Sequence, residues 1–306
     1  MTRHLALGVG QLGPIARSES RSSVVRRLID LLRQAKPRGC DLVVFPEMAL
    51  TTFFPRWYIE DEAELESFFE REMPSAETRP LFEAAADLGV GFYLGYCELV
   101  EGGGRKRRFN TSILVDKAGR ILGKYRKVHV PGSAVNDPGL PFQHLEQLYF
   151  ETGDLGFPVW DAFDSKLGMC ICNDRRWPET YRVMGLQGAE AVLLGYNSPA
   201  QLPDYPEQNE LRAFHHLVCM QSAAYQNGIW IAAAGKAGCE EGVDMLAHSC
   251  VIAPSGQVVA VTQGRHDELI AYHCDLEMSQ AYKQFHGLER NRKPQHYQLI
   301  AAPSLG

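Results

Sequence analysis

Three side chains in this sequence could carry acyl-transfer chemistry if the fold brings them together: Cys172, Lys127 and Glu47. Cys172 closes the apolar run Leu167-Gly-Met-Cys-Ile-Cys172 and precedes Asn173-Asp-Arg-Arg-Trp-Pro178, in which Pro178 suits a helix start. A thiol there sits on a sharp strand-to-helix turn, where backbone N–H groups can stabilise a thiolate and later an oxyanion. A plain buried cysteine is the alternative at this point. Glu47 directly follows Phe45-Pro46 at a strand end, which is a poor place to bury a carboxylate unless a cation accompanies it. A surface carboxylate is the other reading. Lys127 stands in Gly123-Lys-Tyr-Arg-Lys-Val-His-Val130, where alternation puts Tyr125, Lys127 and His129 on one face. It either carries its charge inward or is solvated on an edge strand.

Those positions depend on the elements around them. Leu5 to Val9 reads as a short buried strand, and a helix over residues 20–36 follows with its inner face at 24, 28, 31 and 35. Pro37 and Gly39 end it, and Leu42-Val-Val-Phe45 has the pattern of a strand buried on both faces. Helices are expected near 61–72 and 79–88, a strand over 90–97, and a hairpin with arms 108–115 and 120–130 around Lys117-Ala-Gly119. The second half reads as strand 167–172, a helix after Pro178, strand 191–195, helix 208–226 and strand 229–234. The hairpin Val251 to Ala260 echoes Ile113 to Leu122, with Gly256 and Gly119 in corresponding places. This alternation predicts an α/β fold. Unless the hairpins resemble each other by chance, the chain has two related halves, each a sheet with helices on one side, the sheets packing face to face. Ligands in open α/β sheets gather beyond the carboxyl ends of strands, which is where Glu47 and Cys172 lie.

Composition narrows the partners. The chain has 306 residues, 45% hydrophobic and 22% charged, which excludes disorder and collagen-like repeats. Lys plus Arg number 31 against 37 Asp plus Glu, a formal charge of −6, so neither nucleic acid nor an anionic membrane surface is an expected partner. The run Gly102-Gly-Gly-Arg-Lys-Arg-Arg108 reads as a solvated loop entering a strand. No apolar run approaches the roughly 18–20 residues that cross a bilayer, and Met1 to Gly8 passes into strand-like sequence without a signal-peptide core, so a cytoplasmic location is expected. Eight cysteines in such a chain read as reduced thiols. The pair Cys170-Ile-Cys172 lacks zinc-motif spacing, so no metal is expected. Gly8-Val-Gly-Gln-Leu-Gly13 matches a dinucleotide-binding pattern, but Pro14 interrupts the helix start and the next strand-end acid, Glu47, lies 34 residues past Gly13 rather than about 20.

Taken together, Val43-Val-Phe-Pro-Glu47, Gly123-Lys-Tyr-Arg-Lys-Val-His129 and Cys170-Ile-Cys-Asn-Asp-Arg-Arg-Trp-Pro178 resemble, in order, the motifs of the nitrilase (carbon-nitrogen hydrolase) superfamily. Within it the chain looks most like the N-carbamoyl-D-amino-acid amidohydrolases, through Arg108-Phe-Asn-Thr-Ser112, Pro141-Phe-Gln-His-Leu-Glu146, Phe214-His-His-Leu217 and Pro294-Gln-His-Tyr297 among others. The resemblance implies a four-layer α-β-β-α sandwich with two pseudo-repeated halves. It implies a single domain over residues 1–280, an extension over 281–306 at an oligomer interface, a homodimer or homotetramer, and no metal or organic cofactor. Carried onto this chain, it makes Glu47 the general base, Lys127 the oxyanion stabiliser, Cys172 the nucleophile and the backbone N–H of Asn173 a second oxyanion donor. It makes Glu146 a second acid holding Lys127. His129, His144 and His215 either support the site or are satisfied core residues. Arg175 and Arg176 suit bidentate capture of a substrate carboxylate, with Asn197 beside them, unless they are an exposed helix-start pair. The implied reaction takes an N-carbamoyl-D-amino acid to the D-amino acid, carbon dioxide and ammonia through a carbamoyl thioester. A related amidase or β-ureidopropionase with the same triad is the alternative, and a non-catalytic nitrilase-like binding subunit a further one. The segments 131–143 and 198–212 depart from the family pattern, including Ser198 where threonine is expected, and they bear on substrate choice.

Overall fold

The computed structural model describes residues 3–203 and 205–302. The first half comprises β1 (His4–Gln11), α1 (Arg21–Ala35), β2 (Leu42–Val44), α2 (Glu62–Ser67), α3 (Arg79–Leu88), β3 (Gly91–Gly102), β4 (Arg105–Val115) and β5 (Ile121–Arg126). The second comprises α4 (Glu146–Tyr149), β6 (Val159–Ala162), β7 (Ser165–Ile171), α5 (Pro178–Leu186), β8 (Ala191–Tyr196), α6 (Arg212–Asn227) and β9 (Trp230–Gly235). A small hairpin of β10 (Cys239–Glu240) and β11 (Val243–Asp244) follows, then β12 (Cys250–Ile252), β13 (Val258–Val261), β14 (Glu268–Asp275), α7 (Leu276–His286), α8 (Leu288–Asn291) and α9 (Gln298–Ala301).

Two six-stranded sheets form, ordered β14-β1-β2-β3-β4-β5 and β13-β12-β9-β8-β7-β6. In each, three parallel strands (β1, β2, β3 and β7, β8, β9) are flanked by antiparallel ones, so the halves match strand for strand when one sheet is read in reverse. The echoing hairpins at Gly119 and Gly256 occupy equivalent places in this repeat. The inner faces, with Leu42, Val44 and Tyr93 on one side and Met169, Ile171 and Leu193 on the other, share one core. The outer faces are covered by α1 and α3 on the first sheet and by α5 and α6 on the second. This is the expected four-layer α-β-β-α arrangement. Alternation explains the split: Leu42 and Val44 face the partner sheet, whereas Val43 and Phe45 face α1 and α3. Ser20 caps α1 by accepting from the Ser23 N–H at 3.2 Å, and Val24, Leu28, Leu31 and Ala35 are all buried, joined by Val25, Ile29 and Leu32.

The structure revises several boundaries. The helix expected over 61–72 stops at Ser67, because Phe68 and Phe69 turn inward to stack with Phe54 and Phe150. The hairpin arm expected to reach 130 ends at Arg126, and residues 206–211 form a 3-10 turn ahead of α6. In the run 102–108 the turn is confined to Gly103 and Gly104, and Arg105 to Arg108 already belong to β4, where charges are paired: Arg107 with Glu151 and Asp154, Arg108 with Glu62, Lys106 with Glu66. Gly8 to Gly13 lies in and just past β1, between β14 and β2. The expected boundary at residue 280 falls inside α7, whose Leu276 and Ser279 are buried. Residues 1–2, Asp204 of the 198–212 segment and residues 303–306 of the extension lie outside the described residues. Among the described residues no helix is long and apolar enough to cross a membrane, and all eight cysteines are free.

Candidate active site

The chain segment after β2 threads between the two sheets, and two glycines make room for it. A Cβ on Gly95 would lie 2.6 Å from the Pro46 oxygen, and one on Gly195 would lie 2.6 Å from the Glu47 nitrogen. Phe45 N–H donates to Tyr93 O at 3.0 Å and Ala49 N–H to Gly95 O at 2.8 Å, so Glu47 is held at the sheet interface with its side chain fully buried. Lys127 lies one residue beyond β5. Its N–H donates to Asn110 O at 2.8 Å and its carbonyl accepts from Gly153 N–H at 2.8 Å, which turns the ammonium inward rather than to solvent. Cys172 follows β7 with φ of 47°, the left-handed conformation of a strained strand-to-helix elbow. The buried Asp174 carboxylate pins that elbow. It accepts from Ile171 N–H at 2.9 Å, Tyr125 O–H at 2.7 Å and His129 N–H at 3.0 Å, and pairs with His129 Nδ1 at 2.8 Å. Asp174 therefore ties the cysteine turn to the strand that delivers Lys127.

The three sequence-distant groups converge. Lys127 Nζ donates to Glu47 Oε1 at 2.7 Å and to Glu146 Oε2 at 2.5 Å. Asn110 Nδ2 donates to the same Glu47 oxygen at 2.7 Å and to Glu146 Oε2 at 3.3 Å. His144 Nε2 lies 2.7 Å from Glu146 Oε1. The second Glu47 oxygen, Oε2, is buried without a partner. The Cys172 sulfur lies 3.8 Å from Ser198 Oγ and 3.6 Å from Arg175 Nη1. Burial raises the Glu47 pKa above the usual carboxylate value, with Lys127 pulling against it and Glu146 adding to it. Burial also opposes the Lys127 charge, but Glu146 and Glu47 outweigh it and hold the amine firmly protonated. Glu146 resists its own burial penalty through Lys127 and His144 and is pulled down to about 2. Burial and Glu47 push the Cys172 thiol up, against Lys127 and Arg175. The resting constellation is thus a thiol, an ammonium and a carboxylate of heightened basicity, which can take a proton from sulfur and stabilise negative charge nearby.

The remaining expected residues divide. Asn197 is buried, donates to Glu47 O at 3.2 Å and leaves its own Oδ1 unpartnered. Asn173 Nδ2 donates to His129 O at 3.2 Å, and His129 stacks on Trp177 with ring centres 4.8 Å apart. Arg175 does not stand at an open carboxylate clamp. It is 1% exposed, donates to Cys172 O at 2.6 Å and to Ser198 Oγ at 3.0 Å, and packs over Tyr196. Arg176 is exposed, near Asn173 Oδ1 at 3.5 Å. His215 makes no hydrogen bond among the described residues and lies beside Phe214. The buried histidine of α6 is its neighbour His216, 4.5 Å from the Tyr196 ring, because the helix buries 212, 216, 220, 223, 224 and 227. Sequence reading gave no role to Asn110, Asp174, Ser198 or His216. The signal for Asn110 was a polar residue at an inward position of the apolar strand β4. No cluster of three or more His, Cys, Asp or Glu side chains among the described residues is arranged to hold a metal ion.

Comparison with known proteins follows the same lines. The carbon-nitrogen hydrolase family matches residues 6–284. An N-carbamoylputrescine amidase of Arabidopsis thaliana is 28% identical over 282 residues, covering 88% of this chain and 87% of the plant protein. A citrullinase of Francisella tularensis is 32% identical over 198 residues, 63% of this chain and 65% of its own. The crystal structure of a carbon-nitrogen hydrolase from Helicobacter pylori aligns with a TM-score of 0.83 at 24% identity, over 98% of this chain and 99% of the other, a likeness of fold. None of these three names refers to D-amino acids.

Proposed function

The chain belongs to the carbon-nitrogen hydrolase family, and from that premise we propose that it hydrolyses the ureido carbon-nitrogen bond of small N-carbamoyl compounds, with N-carbamoyl-D-amino acids as the leading substrate class. The observation that carries this reading is the Glu47 carboxylate: one oxygen is locked by Lys127 and Asn110, and the other is buried and free to accept a proton. Glu47 takes the Cys172 proton, and the sulfur attacks the ureido carbon. Charge that develops on the carbonyl oxygen meets the Lys127 ammonium and the Asn173 N–H, each such donor being worth about 3 kcal/mol. Collapse expels ammonia, which carries off the proton held by Glu47 and leaves a carbamoyl thioester on Cys172. Water, deprotonated by Glu47, attacks the thioester carbon and the thiolate leaves and is reprotonated. The carbamate released falls to carbon dioxide and the free amine.

The names of two relatives, N-carbamoylputrescine amidase and citrullinase, both refer to ureido compounds and support the bond chosen. The preference for a carboxylate-bearing substrate rests on Arg176, exposed beside the nucleophile turn, since Arg175 is engaged behind the cysteine. That engagement favours one second reading, an amidase for uncharged amides with the same triad. Ammonia release from matched N-carbamoyl-D- and L-amino acids, N-carbamoyl-β-alanine and a simple aliphatic amide separates the two. Turnover highest on the N-carbamoyl-D-amino acids, absent in Cys172→Ala, is the expected result. Preference for the simple amide would overturn the substrate class, and retained activity in Cys172→Ala would overturn the nucleophile.

A further inference from the structure

The divergent segment 198–212 ends in Arg212, the first residue of α6, which is 6% exposed. Its Nε and Nη2 both donate to Pro199 O, at 3.4 and 3.1 Å, and Nη1 has no hydrogen-bond partner among the described residues. Pro199 follows Ser198, whose hydroxyl lies 3.8 Å from the Cys172 sulfur and accepts from Arg175. Arg212 therefore grips the chain one residue past Ser198, the side chain that lies against the nucleophile. Elsewhere in the interior, cations are matched: Lys127 by Glu47 and Glu146, Lys236 and Arg56 by Glu240. Among the described residues, Arg212, Arg175 and Arg176 have no such carboxylate; the ionisable groups that act on Arg212 are Arg176, Arg175 and the Cys172 thiol.

Three costs fall on this guanidinium. It is desolvated, it sits beside two like charges, and it stands at a helix N-terminus, where the backbone dipole favours anions. Burial and the two arginines lower its pKa to about 10, which still leaves it charged at neutral pH. An anion arriving from outside the chain offsets all three costs.

Building on the function proposed above, we propose that Arg212 is a specificity-determining residue that receives a second carboxylate of the substrate, the first being taken by Arg176. The favoured class is N-carbamoyl amino acids with acidic side chains. N-carbamoyl-D-glutamate and N-carbamoyl-D-glutamine have nearly the same shape and differ in that charge. The expected kcat/KM for the glutamate form exceeds that for the glutamine form by about tenfold or more, the scale of one desolvated ion pair. Arg212→Met lowers the glutamate value at least about tenfold more than the glutamine value, and Arg212→Lys restores part of the difference. Because Arg212→Met also loses the Pro199 contact, only the ratio between substrates reads the charge. Should that variant fail to fold, inhibition of the unaltered enzyme by D-glutamate against D-glutamine gives the same comparison, with tighter inhibition by D-glutamate expected. Equal handling of the two forms by the unaltered enzyme, or an equal proportional loss on both in Arg212→Met, overturns the inference and leaves the function standing. Failure to hydrolyse any N-carbamoyl compound, N-carbamoyl-D-alanine included, overturns the function itself.

Discussion

The two oxygens of Glu47 do different work, and that difference can be measured. Oε1 is committed to Lys127 and Asn110, whereas Oε2 has no protein partner among the described residues and is the proposed proton acceptor. Glu47→Gln keeps the shape and an acceptor oxygen but removes the basicity, so kcat falls by about a thousandfold or more while KM moves little. Burial raises the Glu47 pKa and the reaction needs its ionised form, so the acid limb of kcat/KM lies above the ordinary glutamate value of about 4.3. A limb at or below that value would contradict the assignment. Glu146 has the opposite sign. Its folded-state pKa is depressed to about 2, so the stability it contributes is fully present above the unfolded glutamate value and drains away as pH falls toward 2. Thermal unfolding followed between pH 7 and pH 2.5 should show a shallower acid decline in Glu146→Gln than in the unaltered chain.

At the scale of elements, the site depends on turns held by groups that never meet substrate. Asp174→Ala strands the Ile171 N–H and the Tyr125 hydroxyl in the interior and releases His129, which costs on the order of 3 kcal/mol and loosens the cysteine elbow. The expected result is a lower melting temperature together with a kcat loss larger than any change in KM. Gly195→Ala drives a methyl into the Glu47 backbone at 2.6 Å, so kcat and melting temperature should both fall, with unchanged values counting against the threading of Glu47 between the sheets. The pseudo-repeat gives context. Lys127 N–H donates to Asn110 O at 2.8 Å in one half, and Thr262 N–H donates to Ser249 O at 2.9 Å in the other. There the equivalent cluster is neutral: Gln11 Oε1 meets Ser249 Oγ at 3.2 Å and Thr262 Oγ1 at 2.7 Å. One frame is built twice, with an ammonium at this position in the Asn110–Lys127 copy and a hydroxyl in the Ser249–Thr262 copy. Strand ends carrying Glu47 and Cys172 were legible in sequence because a carboxylate or thiol closing an apolar run breaks a strong pattern. The inward turn of Lys127 was not, since alternation names a face without saying which face is buried. Nor was His216 distinguishable from His215: Phe214, Leu217 and Val218 make both sides of α6 apolar, so the helix phase is ambiguous until α5 and β9 are in place.

The molecule as a whole leaves a band of large apolar side chains uncovered. Val183 and Leu186 on α5, Phe214, Val218 and Tyr225 on α6, and Phe285 on α7 are exposed. Exposed apolar side chains on three neighbouring helices are what a second copy could cover, and we propose that the expected homo-oligomer does so. Sedimentation at micromolar concentration should give a dimer or larger, and Phe214→Glu with Val218→Glu should shift the population toward monomer; a monomeric unaltered chain would contradict this. The convergence of Glu47, Lys127 and Cys172 is what the rest depends on, and a covalent adduct tests it most directly. Intact-protein mass spectrometry of enzyme quenched during turnover of an N-carbamoyl-D-amino acid should show a species heavier by the substrate less ammonia, mapped to the peptide carrying Cys172 and lost in Cys172→Ala. Turnover with no adduct, or an adduct on another cysteine, would contradict the account.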